Sequence, residues 1–118
     1  PLTALLEIRN GRLLESDETR ILMGKAAKEA AEVAQVIGIN IEFSDPSQAV
    51  EAVALATSEN ISSMFQDLKR GAPTEIDVLC GVVSKQGEIH QVPTPVNDLF
   101  WSLIKAKVDI RNKNSEDN

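Results

Sequence analysis

The chain has 118 residues, 42% hydrophobic and 25% charged, which suits one soluble globular domain with a modest core. A net charge of -6 with only one mildly basic stretch, KAKVDIRNK, repels phosphate backbones and argues against a nucleic-acid partner. No apolar run approaches the roughly 18 to 20 residues of a membrane span. The single cysteine, Cys80, excludes an intrachain disulfide and Cys-pair metal motifs, and fits a reducing, cytoplasmic compartment.

In chain order, PLTALLEIR reads as a short helix with Pro1 in the first turn and the Asn10-Gly11 pair as its left-handed stop. The chain opens on proline inside a helical pattern, so a longer parent polypeptide is expected; this opening also lacks the basic-then-apolar pattern of a secretory signal. SDETRILMGKAAKEAAEVAQVIG reads as a long helix, with Ser16 as N-cap, Asp17 and Glu18 in the positive first turn, and Gly38 at its end. Its small face (Ala26, Ala27, Ala30, Ala31, Ala34) would let another helix approach closely. INIEF alternates like a strand but is too short and isolated to argue for a sheet, so an extended connector is expected. A helix restarts at SDPSQAVEAVALA, with Asp45 or Ser44 capping and Pro46 in the first turn. NISSMFQDLKRG is stopped by Gly71, PTEIDVLCGVVSKQG follows, and TPVNDLFWSLIKAKVDIR closes the chain. The sum is an all-α domain of about six packed helices over residues 1–111, with a polar tail at 112–118 expected to fray.

The polar residues around the RGAP corner hold the candidate chemistry. Ile61, Met64, Phe65 and Leu68 recur at three- and four-residue spacing as a core stripe, which places Ser63, Gln66 and Asp67 on the other face. Glu75 stands one turn before Leu79 and borders a second apolar stripe. A hydroxyl and a carboxylate at adjoining helix ends could bind a small polar ligand; the plainer alternative is solvated side chains and first-turn acids favoured by the helix dipole. His90 reads as a loop histidine with no second ligand nearby, and Cys80 as a small core residue. Glu29 and Glu32 read as helix-surface charges, and Phe100-Trp101 as an anchor for the last helix in the core or an interface. No glycine-rich phosphate loop is present, and no metal site is expected.

Three segments, PLTALLEIRNG, ENISSMFQDLKRGAPTEIDVLCG and VPTPVNDLFWSLI, change this balance. In order and spacing, from Pro1 to about Ile104, they resemble the C-terminal helical domain of the 2-dehydropantoate 2-reductase (ketopantoate reductase) family, a domain of the 6-phosphogluconate-dehydrogenase-like type. The resemblance implies a two-domain enzyme. An N-terminal Rossmann domain would bind NADPH, and the helical domain would close the cleft over the 2-oxo acid ketopantoate. Hydride would reach the ketone carbon while a lysine protonates the oxygen, giving pantoate for coenzyme A synthesis.

By position, Ser63 matches the family's substrate-binding serine, and Asn10 a substrate-side asparagine. Glu75 matches the glutamate at the cofactor end of the cleft, while Asp67 would have an orienting role. The family's proton-donating lysine and its asparagine partners fall upstream of Pro1, and neither Lys25 nor Lys28 matches them. The expectation is therefore a substrate domain that alone binds no NADPH and reduces nothing. It would carry an apolar patch where the Rossmann domain docks, and a possible homodimer seam at the Ala-rich helix or Phe100-Trp101. Two other readings stand beside it: a reductase of another branched 2-oxo acid, and a freestanding helical association module without catalysis.

Overall fold

A computed structural model describes residues 1–40 and 45–116, with side chains placed as far as residue 114. Six α-helices carry the fold: α1 (Leu2–Leu6), α2 (Asp17–Val36), α3 (Pro46–Ala56), α4 (Ser63–Arg70), α5 (Val82–His90) and α6 (Pro95–Glu116). A 3-10 segment, Asn10–Glu15, links α1 to α2, and a π turn, Asp77–Gly81, runs directly into α5. No strand occurs among the described residues. Ile41 to Phe43 of the INIEF connector lie outside them, as does Ser44.

Local chemistry explains most of the helix ends. The Asp45 carboxylate accepts from the backbone N–H groups of Ser47 (3.0 Å) and Gln48 (3.2 Å), with Pro46 at the first helical position of α3. Ser62 caps α4, its Oγ accepting from Phe65 N–H at 3.2 Å, and Gly71 ends that helix in the left-handed region at φ 74°. Ser16 occupies the N-cap of α2, but its side chain makes no cap bond. The buried Thr19 hydroxyl instead donates to the carbonyls of Leu13 and Ser16, tying the helix to the preceding 3-10 segment.

The structure corrects several expectations. Helix α1 ends at Leu6, and the left-handed residue is Glu7 (φ 57°) instead of the Asn10-Gly11 pair. Gly11 is required by proximity: its N–H donates to Ser58 C=O at 3.0 Å, and a Cβ there would lie 2.5 Å from Ser58 Cβ. At Gly24 of α2 a Cβ would meet Ser47 Oγ of α3 at 2.8 Å, and Ala26, Ala27 and Ala30 of the alanine face line a groove. His90 is the last residue of α5, not part of a loop. Helix α6 continues through Glu116, past the boundary drawn at 111, because extending an established helix fixes only one residue per added hydrogen bond.

The core centres on α6. Ile104 is fully buried and Phe100 nearly so, packed with Leu2 and Ala4 of α1, Met64, Phe65 and Leu68 of α4, and Ile76 and Cys80 at the start of the fifth helical segment. Phe100 is therefore unavailable to a dimer seam, while Trp101 stays half-buried against this cluster. Glu29 is no surface charge. It is buried on α2, and its carboxylate accepts from Val96 N–H (3.0 Å), Asn97 N–H (2.9 Å) and Asn97 Nδ2 (2.9 Å). A side chain of α2 thus caps the N-terminus of α6, satisfying amides that α6 leaves unpaired.

Candidate functional site

Beside this core an apolar groove of about 550 Å³ opens between α2, α3 and the fifth helical segment. Ala26, Ala27 and Ala30 form one wall, Val50 and Val53 a second, and Leu79, Cys80 and Val83 a third. Asn10 lines the same groove, its amide Nδ2 donating to Thr57 Oγ1 at 3.0 Å while its backbone N–H donates to Asn60 C=O at 3.0 Å. These two bonds and the Gly11–Ser58 contact hold the 3-10 segment against the α3–α4 connection.

That connection leads directly to Ser63. The hydroxyl pair of the SSM stretch divides its roles: Ser62 caps α4 and accepts from Thr3 Oγ1 at 2.7 Å, whereas Ser63 is exposed and its hydroxyl has no hydrogen-bond partner among the described residues. Asp67 pairs with Arg70 at 2.7 Å on its own helix, and Gln66 Nε2 donates to Ile61 C=O at 2.9 Å. The polar face of α4 therefore presents the exposed Ser63 hydroxyl beside a local ion pair.

Glu75 lies on the far side of the Gly71 corner. Its carbonyl accepts from Val78 N–H (3.1 Å) and Leu79 N–H (2.9 Å), so it starts the fifth helical segment, while its exposed carboxylate has no ion-pair partner among the described residues. Of the residues singled out from the sequence, Asn10 stands in the groove itself. Ser63 and Glu75 are exposed and are not among the residues that line it; Ser63 follows Asn60, which accepts from Asn10 N–H, by three positions, and Glu75 precedes the lining residue Leu79 by one turn. No hydrogen bond joins the three directly, and Asp67 points its charge at Arg70. The groove walls escaped sequence reading because they come from three separate helices; the alanine spacing on α2 was the one local signal.

Cys80 forms part of the groove's inner wall at 4% exposure. Burial pushes its thiol pKa up, and the Glu29 carboxylate adds to it. The thiolate is thus disfavoured at neutral pH. Iodoacetamide labelling of Cys80, followed by mass spectrometry, is expected to be slow at pH 8 in the folded chain and to reach the rate of a free thiol only in denaturing urea. Fast labelling of the folded chain would contradict this placement. Among the described residues no three His, Cys, Asp or Glu side chains converge as a metal site would require, and no helix is long and apolar enough to cross a membrane.

Comparison with known proteins places this arrangement. Residues 1–108 match the family described as ketopantoate reductase PanE/ApbA, C terminal. The chain belongs to this family. Its relatives include the 2-dehydropantoate 2-reductase of Pyrobaculum aerophilum, 39% identical over 111 residues, or 94% of this chain and 39% of the relative. That of Vibrio cholerae is 38% identical over 106 residues, covering 90% of this chain and 36% of the relative. The chain thus spans less than half the length of the reductases it matches. In three dimensions it resembles the PanE/ApbA family ketopantoate reductase from Ralstonia eutropha, with a TM-score of 0.87 and 28% identity over 94% of this chain and 37% of that one. It also resembles D-mandelate dehydrogenase in a ternary structure with NADH and anilino(oxo)acetate, with a TM-score of 0.85 and 27% identity over 94% of this chain and 62% of that one. The all-α domain read from the sequence is therefore the C-terminal domain fold of an oxidoreductase family, and its solved neighbour D-mandelate dehydrogenase holds NADH.

Proposed function

We propose that this chain is the substrate-side domain of an NADPH-dependent 2-dehydropantoate 2-reductase of the cytoplasm. The observation that carries this reading is an apolar groove lined by Asn10 in a chain of this family, whose resemblance also assigns the exposed Ser63 hydroxyl and Glu75 carboxylate to the same cleft. Alanine and valine walls suit the branched carbon skeleton of ketopantoate. Ser63 can donate to a carboxylate or ketone oxygen of the 2-oxo acid. Asn10, with one amide hydrogen engaged by Thr57, keeps its carbonyl and second amide hydrogen for the ligand.

Glu75, an acceptor-only carboxylate, fits hydroxyl groups of the cofactor's ribose end or of the substrate, which supports a cofactor-side role. The nicotinamide cofactor supplies the hydride, and its phosphates would be held by an upstream Rossmann domain, because this chain has no glycine-rich loop. The proton-donating lysine is likewise assigned upstream of Pro1. Exposed apolar side chains on α5 (Ile89, Val82), on its π turn (Val78, Leu79) and on α6 (Leu99, Leu103, Ile110) offer faces for that domain and for a second copy of the enzyme.

The likeness to D-mandelate dehydrogenase favours a second reading within the same class, reduction of a different branched or aromatic 2-oxo acid. One experiment tests both. The longer polypeptide carrying this domain is expected to oxidise NADPH with ketopantoate, at a higher kcat/KM than with other 2-oxo acids and than with NADH. The 118-residue chain alone is expected to give no turnover. Preference for another 2-oxo acid would move the assignment to the second reading. A folded parent inactive toward every 2-oxo acid would leave only an association module, and turnover by the short chain would refute the upstream placement of the proton donor.

A further inference from the structure

The fifth helical segment does not begin as an α-helix. Residues Asp77–Gly81 form a π turn, which holds one residue more than an α turn and re-phases everything before it. In a continuous α-helix the eight-residue step from Glu75 to Val83 would leave Glu75 about 80° off the Val83 line, whereas with one residue looped out it falls about 20° from that line. Val83 and Leu79 line the groove. The π turn therefore rotates the start of the segment so that Glu75, which is exposed and not itself a lining residue, falls near the Val83 line.

Trp101 of α6 touches both ends of this turn. Its indole Nε1 donates to Asp77 Oδ1 at 2.7 Å, at the first residue of the turn. Its ring lies flat enough against the last residue that a Cβ on Gly81 would sit 3.0 Å from Cε2 and 3.1 Å from Cζ2. The ammonium of Lys105 stacks 4.0 Å from the ring centroid and helps to hold the indole in place. One side chain thus ties the first residue of the turn and leans on its last.

We propose that Trp101 is a positioning residue that acts through Glu75: by clamping both ends of the π turn it fixes the helical phase that turns Glu75 toward the groove. The inference rests on the cleft role given to Glu75 above. It never requires Trp101 to touch substrate or cofactor.

In the full-length enzyme, Trp101→Phe removes the donor and Asp77→Ala removes the acceptor from an exposed pair, so either variant tests the clamp without emptying the core. Each is expected to lower kcat/KM for the 2-oxo acid by roughly threefold to tenfold. The decisive readout is coupling. Trp101→Phe combined with Glu75→Ala is expected to fall no further than Glu75→Ala alone, whereas combined with Ser63→Ala the two losses should multiply. Losses that multiply with Glu75→Ala, or parental activity in both clamp variants, would overturn the proposal while leaving the cleft assignment intact. Parental activity in Glu75→Ala itself would overturn the cleft assignment and this proposal together.

Discussion

On the proposed function, Glu75→Ala in the longer parent polypeptide is expected to reduce kcat/KM for ketopantoate by tenfold or more, a loss of transition-state stabilisation above about 1.4 kcal/mol, and Ser63→Ala is expected to do the same. Both side chains are exposed, and neither has a side-chain partner among the described residues. Their removal should therefore leave stability within about 0.5 kcal/mol of the parent. Ser63→Ala leaves the α4 cap untouched because Ser62 provides it. Activity loss without stability loss is the signature of groups that meet their partner only in the assembled cleft. Steady-state NADPH oxidation beside urea unfolding separates the two quantities. Parental kcat/KM in both variants would show that these groups do not face the reacting complex.

Glu29→Ala is expected to destabilise the 118-residue chain by about 2 to 4 kcal/mol, combining a lost helix cap with buried amide groups left unpaired. Three hydrogen bonds end on this one carboxylate, from Val96 N–H, Asn97 N–H and Asn97 Nδ2, and Asn97 Nδ2 also donates to Ala26 C=O at 3.1 Å. Glu29→Gln should recover part of the loss, since an amide keeps one acceptor oxygen but turns a donor toward backbone N–H groups that need acceptors. The comparison is a shift in the urea midpoint at constant m-value. Asn97 lines the groove beside Phe100, so the same network holds α6 in register with the alanine wall of α2. A loss below about 0.5 kcal/mol would mean that water can replace the glutamate at the start of α6.

Much of the architecture was legible in the chain because helix ends are set by residues within one turn of each other. Asp45 with Pro46, Ser62 with Phe65, and Gly71 each act over four residues or fewer, and each stands where its residue type indicates. The apolar stripe Met64, Phe65 and Leu68 was readable for the same reason, since its spacing alone assigns it to one face. The Asn10-Gly11 pair misled because turn propensity says that a chain can reverse there, not that it must. The glycine is needed for contact with Ser58, far along the sequence.

The candidate site shows the same division. Its residue types, a serine, a glutamate and an asparagine set among small apolar side chains, could be picked out from the chain and its family resemblance. The groove that relates them required α2, α3 and the fifth helical segment to converge, and periodicity is blind to such convergence. Sequence by itself determined the helical class, most helix ends and the buried stripe of α4, all products of short-range sterics and hydrogen bonding. Only the tertiary structure decided that Glu29 caps a helix 68 positions away, that Ser63 stays free while Ser62 does not, and that Asp77 meets Trp101 across a π turn. Those outcomes depend on which buried donors and acceptors can find partners once the helices pack, and no single segment contains that information.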